Sequence, residues 1–160
     1  VREGVAYARS AHGGAETPVR LDIDAFLESL VFDYQDVGKP VTLEGAAGGT
    51  ALVRRQALQR VLGNLVDNAI KYGGAAEVSS WRDASGALCI AVADRGPGIP
   101  EDELEQVLQP FYRLEASRNR DTGGAGLGLA IAAQLALAIG GALQLANREG
   151  GGLMATVTLP

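Results

Sequence analysis

Apolar residues recur at helical spacing in three parts of the chain. The first run follows Asp22, a residue type that favours helix N-caps, and stops before Gly38 and Pro40. The second run predicts a helix over residues 54–72, and a third run of small apolar residues predicts a helix ending near Ile139. The apolar side of the second helix should pack on a sheet. Its members are Leu58, Val61, Leu62, Leu65 and Ala69.

Short extended segments flank these helices. Residues 19–21 and 41–43 are predicted strands, and 76–83 and 87–94 are predicted to form a hairpin. The second hairpin strand, ALCIAVAD, is apolar at both sets of alternating positions, which is typical of a central strand in a covered sheet. The strands ALQLAN and LMATVTL close the chain. This order predicts an α+β fold, with helices covering one side of a sheet.

The segments between the hairpin and the last helix are less regular. An acidic stretch predicts a short helix over residues 101–108. Residues 109–123 contain Arg113, Arg118 and Arg120 without periodicity, and we expect a mobile loop there. The segment GGAGLGL predicts a glycine-rich turn that opens the last helix.

Composition narrows the class of protein. A chain of 160 residues with 47% hydrophobic residues can form one domain with a real core. The net charge of −5 argues against a nucleic-acid binder that works through phosphate attraction. Cys89 has no cysteine partner in the chain and fits a reducing compartment. No apolar run is long enough to span a bilayer, and no signal peptide opens the chain. We expect a domain excised from a longer protein.

The stretch NLVDNAIKY carries a polar stripe within the second predicted helix. At about 100° per residue, Asn64, Asn68 and Lys71 fall on one side of that helix. One interpretation is an amphipathic helix that shows its polar face to water. The other is a ligand face, because amide oxygens suit Mg²⁺ and an ammonium group pairs with phosphate. The stripe alone does not decide between them.

Two glycine-rich segments are further candidates. In DRGPGI, Asp94 ends a buried strand and the glycines would let the backbone approach a flat ligand closely; the alternative is a tight turn. In GGAGLGL, backbone N–H groups at a helix start could face an anion; the alternative is a flexible hinge. GGAGLGL is not a P-loop, because no Lys-Ser/Thr pair follows it. It is also a poor dinucleotide fingerprint, because no predicted strand leads into it.

Four segments of the chain, in their order and spacing, resemble the N, G1, F and G2 boxes of sensor histidine kinases. They are NLVDNAIKYG, DRGPGIP, QPFYRLEASRNR and GGAGLGLAIA. The resemblance covers residues 18–160, and residues 1–17 resemble the end of a dimerisation helix with its linker. It implies the Bergerat fold, a two-layer α/β sandwich with a mixed, mostly antiparallel sheet, helices on one face and a mobile ATP lid. The implied cofactors are ATP and Mg²⁺.

The resemblance also assigns roles at the adenine and metal end of the site. It implies that Asp94 accepts a hydrogen bond from the adenine amino group. Gly96, Gly98 and Ile99 would shape the adenine slot. Asn68, with Asn64 as the second candidate, would hold Mg²⁺.

At the phosphate end, Lys71 would contact phosphate and Tyr72 would line the nucleotide site. The resemblance implies a catalytic role for Asn64, Lys71 and Arg118, with Arg118 (Arg120 less surely) reaching the γ-phosphate when the lid closes. Phe111 would anchor the lid. The backbone of the second glycine-rich segment would cradle the phosphates. Its members are Gly124, Gly126, Leu127 and Gly128.

The sequence departs from the pattern of this family in three places. Leu108 stands where the F box usually has a second phenylalanine. Met154 stands in the last strand where the family usually has a hydroxyl residue near the adenine. Arg54 replaces an acidic residue that is common before the second helix. The first two departures bear on nucleotide affinity.

Asn64 separates two activities of this fold. Gyrase-type hydrolases of this fold carry a glutamate four residues before the Mg²⁺ asparagine, as general base for water. An amide cannot accept that proton, so Asn64 favours phosphoryl transfer and predicts very slow hydrolysis. A degenerate regulatory module and a free-standing protein-serine kinase are the other hypotheses. Anti-sigma kinases usually keep the glutamate, which disfavours the second of these.

The resemblance implies several partners. The phosphate acceptor would be a histidine of a separate dimerisation domain, because His12 lacks the helical acceptor context. We therefore expect a monomeric fragment that does not autophosphorylate. The intact protein would be a homodimer that passes phosphate to a response regulator, and it would not bind nucleic acid. The domain would be cytoplasmic, in an inner-membrane sensor protein.

Overall fold

The computed structural model describes residues 16–108 and 124–160. Its helices are α1 (Ile23–Asp36), α2 (Arg55–Gly73) and α3 (Gly124–Ala138). Its strands are β1 (Val19–Asp22), β2 (Val41–Ala46), β3 (Thr50–Val53), β4 (Ala76–Arg82), β5 (Leu88–Ala93), β6 (Ala142–Asn147) and β7 (Leu153–Leu159). Within the described ranges, no helix combines the length and the hydropathy needed to cross a bilayer.

The strands form a five-stranded sheet and a separate two-stranded ribbon. The five-stranded order is β2-β4-β5-β7-β6, in which the β2–β4 pair is parallel and the other pairs are antiparallel. The strands β1 and β3 pair antiparallel with each other. The predicted α+β fold with a mixed, mostly antiparallel sheet is therefore confirmed.

One face of the large sheet forms the core with the helices. Leu43, Val78, Val92, Ala155 and Leu145 are cross-strand neighbours in one row across all five strands. They belong to, or pack against, a single apolar cluster that includes the inner residues of all three helices. The predicted apolar side of α2 is buried there, with Leu58, Val61, Leu62, Leu65 and Ala69 no more than 3% exposed.

The strand β5 is central, as its apolar sequence predicts, and all six of its residues are buried. On the face away from the core cluster its residues are small. Cys89 lies between the taller, partly exposed Trp81 and Thr158, and Ala91 lies between Ser79 and Thr156. Lateral neighbours within the sheet thus shield β5 on this face.

The helix α1 is capped by the residue directly before it, whereas α2 is capped by a residue distant in sequence. Asp22 caps α1 as predicted, and its Oδ1 accepts a hydrogen bond from Ala25 N at 3.1 Å. The N-cap residue of α2, Arg54, makes no capping bond with its side chain. Glu16, which is distant in sequence, accepts hydrogen bonds from the backbone N–H groups of Gln56 and Ala57 at 2.6 and 3.0 Å.

Three sequence predictions need correction. The strand β3 was not predicted, because four residues that alternate between exposed and buried positions give a weak pattern. Residues 101–108 form two 3₁₀ turns, Glu101–Glu103 and Gln106–Leu108, rather than one helix. The first turn follows Pro100 and has no side-chain cap, which disfavours a longer helix. The glycines of GGAGLGL lie inside α3 from Gly124 onward, rather than in a turn before it.

Candidate functional site

The polar stripe of α2 lies opposite its buried apolar side. Asn64 and Asn68 are half-buried, and Lys71 is exposed. The Lys71 Nζ lies 5.4 Å from the centroid of the Tyr72 ring, within the range of a cation–π contact. The structure thus brings two amides, an ammonium group and an aromatic ring together along the last turns of one helix.

The C-terminal end of α2 packs directly against the loop that follows β5. A Cβ atom on Gly96 would lie 2.6 Å from the carbonyl oxygen of Tyr72, and one on Gly73 would lie 2.6 Å from Asp94 Cβ. Real Cβ atoms do not approach so closely, so both positions require glycine. This contact joins the α2 stripe and the DRGPGI segment into one site.

Asp94 is 5% exposed, and one of its two carboxylate oxygens accepts hydrogen bonds from the protein. Its Oδ1 accepts hydrogen bonds from Gly96 N at 2.8 Å and from Leu153 N at 3.2 Å. Within the described part of the chain, no group donates to the other oxygen, Oδ2. A buried carboxylate with a spare acceptor is suited to a ligand that donates a hydrogen bond.

The far side of the same loop is held by the end of β6. The Asn147 amide accepts from Ile99 N at 2.9 Å and donates to Ile99 O at 2.6 Å. Arg148 donates to Asp94 O at 3.0 Å and forms an ion pair with Glu77 at 3.2 Å. Gly98 has a φ of 75°, and a Cβ there would lie 2.5 Å from the Asn147 side-chain oxygen.

The helix α3 packs along α2, the helix that carries the polar stripe. The first backbone N–H groups of an α-helix have no partners within the helix and can bind an anion. Here those groups belong to residues 124–127, in the GGAGLGL segment. Among the described residues, nothing lies within 4 Å of where a Cβ at Gly128 would stand.

A hydrogen bond ties α1 to the polar side of α2. Tyr34 donates its hydroxyl to Asp67 Oδ1 at 2.9 Å, next to Asn68 in sequence. Burial first, then this hydrogen bond and the Asp67 charge, raise the pKa of Tyr34 above its ordinary value of 10.0. The tyrosine therefore stays neutral in the folded state throughout the physiological range.

The residues present fit a purine nucleotide with its metal. Asp94 Oδ2 offers an acceptor for an exocyclic amino group, and the loop glycines permit close approach of a flat ring. Among the described residues, no cluster of three or more His, Cys, Asp or Glu side chains could hold a metal ion. Asn64 and Asn68, which the resemblance implies as metal ligands, carry amide oxygens of the kind that suits Mg²⁺, and a ligand and water would supply the other oxygens.

Several predicted site residues cannot be located in this arrangement. Phe111, Arg118, Arg120 and the rest of the predicted lid fall outside the described residues. Of the departures from the family pattern, Leu108 packs against the core cluster. Met154 is half-buried on β7, beside Ala93 of β5 and Ala146 of β6.

Sequence reasoning missed four residues that shape the site. Gly73, Asn147, Arg148 and Gly152 were treated as helix end, strand end and connection. Gly152 is buried with a φ of 111°, and a Cβ on it would clash with the carbonyl oxygen of Asp94. The usable signal is the pair Asn147-Arg148 at the end of a strand, followed after Glu149 by three glycines.

Comparison with known proteins agrees with this geometry. Residues 53–160 match the family described as histidine kinase-, DNA gyrase B-, and HSP90-like ATPase. The sensor histidine kinase GtrS of Pseudomonas aeruginosa is 39% identical over 140 residues, which cover 88% of this chain and 28% of GtrS. The chain thus spans less than a third of the length of that relative.

Solved structures share the fold. The ATP-binding domain of PrrB from Mycobacterium tuberculosis is 28% identical with a TM-score of 0.71, and the match covers 91% of this chain and 98% of that domain. Full-length ShkA in complex with AMPPNP gives a TM-score of 0.75 at 23% identity, over 99% of this chain and 36% of ShkA. The ShkA likeness concerns the fold alone.

Proposed function

Because the chain belongs to the family of histidine kinase-, DNA gyrase B- and HSP90-like ATPases, we propose that it is the catalytic domain of a sensor histidine kinase. In this proposal the domain binds Mg²⁺-ATP and transfers the γ-phosphate to a histidine of a separate dimerisation domain. Its similarity to sensor kinases such as GtrS supports the choice within the family.

The observation that carries the proposal is the unused oxygen of buried Asp94. Oδ1 already accepts hydrogen bonds from two backbone N–H groups, which leaves Oδ2 as the acceptor for a ligand. An adenine amino group supplies the matching donor. Guanine presents a carbonyl oxygen at the same ring position, which would face the carboxylate without a hydrogen. The site should therefore prefer adenine nucleotides.

The phosphate end combines groups from α2 and α3. Lys71 supplies a positive charge, and a hydrogen bond to a charged group of this kind contributes about 1.5–3 kcal/mol. The free N–H groups at the start of α3, with Gly124, Gly126, Leu127 and Gly128, would receive phosphate oxygens. Asn68, with Asn64 beside it, would hold Mg²⁺, which neutralises phosphate charge when bound. Tyr72, Gly96, Gly98 and Ile99 would line the base.

The same helix distinguishes transfer from hydrolysis. A hydrolase needs a base to take a proton from water, and an amide at Asn64 cannot accept it. In the proposed reaction, an imidazole nitrogen of the acceptor forms a bond to the γ-phosphorus. The bond from that phosphorus to the β,γ-bridging oxygen breaks, ADP leaves, and the imidazole proton goes to a base outside this domain. Arg118 would stabilise the γ-phosphate charge.

The remaining parts of the proposal concern the longer protein. The partners would be its own dimerisation domain and a response regulator that receives the phosphate. The intact protein would be a homodimer, with this domain on the cytoplasmic side of the inner membrane. These statements rest on similarity to sensor kinases, of which this chain spans only a part.

Transfer to a separately supplied acceptor tests the proposal. The chain is mixed with the dimerisation domain of the full-length protein and ATP labelled at the γ-phosphate, and labelled histidine is measured. We expect acid-labile, alkali-stable label on the acceptor and very slow phosphate release without it. Fast steady-state hydrolysis with no label on the acceptor would overturn the proposal in favour of an ATP hydrolase.

A further inference from the structure

The Asn147 side chain makes hydrogen bonds to both backbone polar groups of Ile99, its N–H and its carbonyl oxygen. Its amide oxygen accepts from Ile99 N at 2.9 Å, and its amide nitrogen donates to Ile99 O at 2.6 Å. The same nitrogen donates to Glu101 Oε2 at 3.1 Å. An asparagine placed in this way acts like the edge of an additional strand for one residue of the loop.

The loop that Asn147 binds, residues 95–99, makes few other hydrogen bonds to the described residues through its backbone. Within the described residues, the backbone of 95–99 makes hydrogen bonds only to the side chains of Asp94 and Asn147. Asp94 holds the first part of the loop through Gly96 N. Asn147 holds the last part, and its oxygen lies in the space that a Cβ on Gly98 would fill.

Arg148 extends the attachment to the start of the loop. It donates to the backbone oxygen of Asp94 at 3.0 Å and is mostly buried, with 19% of its side chain exposed. Glu77 of β4 holds the Arg148 guanidinium at 3.2 Å and also lies 3.6 Å from Arg95. Residues at and after the end of β6 are therefore hydrogen-bonded to both ends of the loop, at Asp94 and at Ile99.

We propose that Asn147 is a positioning residue that presets the adenine slot before nucleotide binds, with Arg148 as its supporting contact. It does not touch the base itself. It fixes the peptide of Ile99 so that Gly96, Gly98 and Ile99 already form one wall of the slot. This inference deepens the proposed function and rests on it.

A preset loop lowers the entropic cost of binding. Ordering loop residues costs free energy, and without Asn147 that cost is transferred to the nucleotide complex. The loss should be the same for ATP and ADP, because the loop faces the base and not the γ-phosphate. Loss of a phosphate contact such as Lys71 should instead weaken ATP and ADP unequally.

The test compares Asn147→Ala with the matched control Gln144→Ala in the 160-residue chain. Gln144 is an exposed amide on the same strand, and it makes no side-chain hydrogen bond to other described residues. Calorimetry with Mg²⁺-ATP and Mg²⁺-ADP measures affinity, and hydrogen exchange without nucleotide reports on the Ile99 amide. We expect about tenfold weaker binding of both nucleotides for Asn147→Ala, equivalent to about 1.4 kcal/mol.

Hydrogen exchange separates positioning from general damage. The Ile99 amide should exchange faster in Asn147→Ala, while the amides of β5 and β7 keep their protection. Asn147→Asp keeps the acceptor for Ile99 N but loses the donor to Ile99 O and adds charge beside Glu101. Binding by Asn147→Asp should be weak, and the additional change Glu101→Gln should restore part of it.

The possible failures are distinguishable. If the unaltered chain and Gln144→Ala bind no adenine nucleotide, the proposed function is wrong. If both bind and Asn147→Ala binds equally well, the positioning role is wrong while the function stands. Loss of protection throughout the sheet in Asn147→Ala would also overturn the positioning role, because Asn147 would then support the whole fold.

Discussion

At the scale of single residues, the two oxygens of the Asp94 carboxylate have different hydrogen-bonding environments. Asp94 uses Oδ1 for the loop and for β7, through Gly96 N and Leu153 N. That use fixes the side chain in orientation and leaves Oδ2 as the acceptor for a ligand. In the proposed function, the atom that recognises adenine is therefore already oriented before the nucleotide binds.

Asp94→Asn should weaken Mg²⁺-ATP binding at least about tenfold, or about 1.4 kcal/mol. The amide can keep its oxygen on the two backbone N–H groups, but its nitrogen then faces the donor amino group of adenine. Calorimetry on Asp94→Asn and on the exposed control Asp33→Asn measures the effect. Equal affinity in a folded Asp94→Asn variant would refute the role given to Asp94.

Tyr34 should make the free energy of unfolding decrease as the pH rises into the alkaline range. Its pKa is raised above 10.0 by burial and by its hydrogen bond to Asp67, whereas the tyrosine of an unfolded chain ionises near that value. The neutral form is therefore favoured by folding. Its contribution is complete below pH 10 and is lost as the pH rises toward the higher folded-state pKa.

Tyr34→Phe should remove that part of the pH dependence. The difference in unfolding free energy between the unaltered chain and Tyr34→Phe should stay constant up to about pH 9 and then shrink above pH 10. Urea unfolding at several pH values provides the measurement. A difference that stays level up to pH 11 would contradict the assigned pKa shift.

At the scale of elements, the N-terminus of α2 is capped by a residue that is distant in sequence. Its N-cap position holds Arg54, which makes no capping bond, and the Glu16 carboxylate accepts from the N–H groups of Gln56 and Ala57 instead. Arg54 Nε in turn donates to Glu16 O at 3.0 Å. The acidic residue missing at position 54 is replaced by another acidic residue that the fold brings to the same helix end. Its negative charge also suits the helix dipole.

Glu16→Ala should lower the unfolding free energy by about 1 kcal/mol, the usual effect of removing an N-cap side chain. Glu16→Gln should lose less, because an amide oxygen can still accept one of the hydrogen bonds. Urea unfolding of both variants, with exposed Glu28→Ala as control, checks the order. If Glu16→Ala were no less stable than Glu28→Ala, the cap would contribute nothing to the fold.

At the scale of the whole molecule, the proposed function assigns nucleotide binding to this domain and the phosphate acceptor to another domain. The candidate groups for base and phosphate come from α2, α3 and the loop after β5; α2 packs against α3 along its length and against the loop at its C-terminal end. Among the residues that the structure describes there is no histidine.

We expect the 160-residue chain alone to be a monomer that binds Mg²⁺-ATP without labelling itself. Light scattering of the purified chain gives the mass, and incubation with γ-labelled ATP gives the label. A variant His12→Gln should behave identically, because His12 has no acceptor context. Stable label on the unaltered chain that is absent from His12→Gln would contradict this expectation.

Sequence by itself determined most of the helices and strands and the chemical character of the site. Periodicity at the α2 positions gave its buried and polar sides, and the continuous apolar pattern of β5 gave its central place, because both depend on spacing within one segment. The stripe of Asn64, Asn68 and Lys71 followed from helical geometry alone. The four boxes in order indicated the family, and their roles in binding stay predictions.

Only the tertiary structure decided which groups complete the site and how they are held. Glu16 and Arg54, or Asn147 and Ile99, are far apart in sequence, and no local pattern pairs them. The short β3 depends on its partner β1, with which it forms the two-stranded ribbon. The need for glycine at positions 73 and 96 arises because two segments meet there at van der Waals distance. Contacts of this kind are set by the packing of the whole chain, which a single segment does not encode.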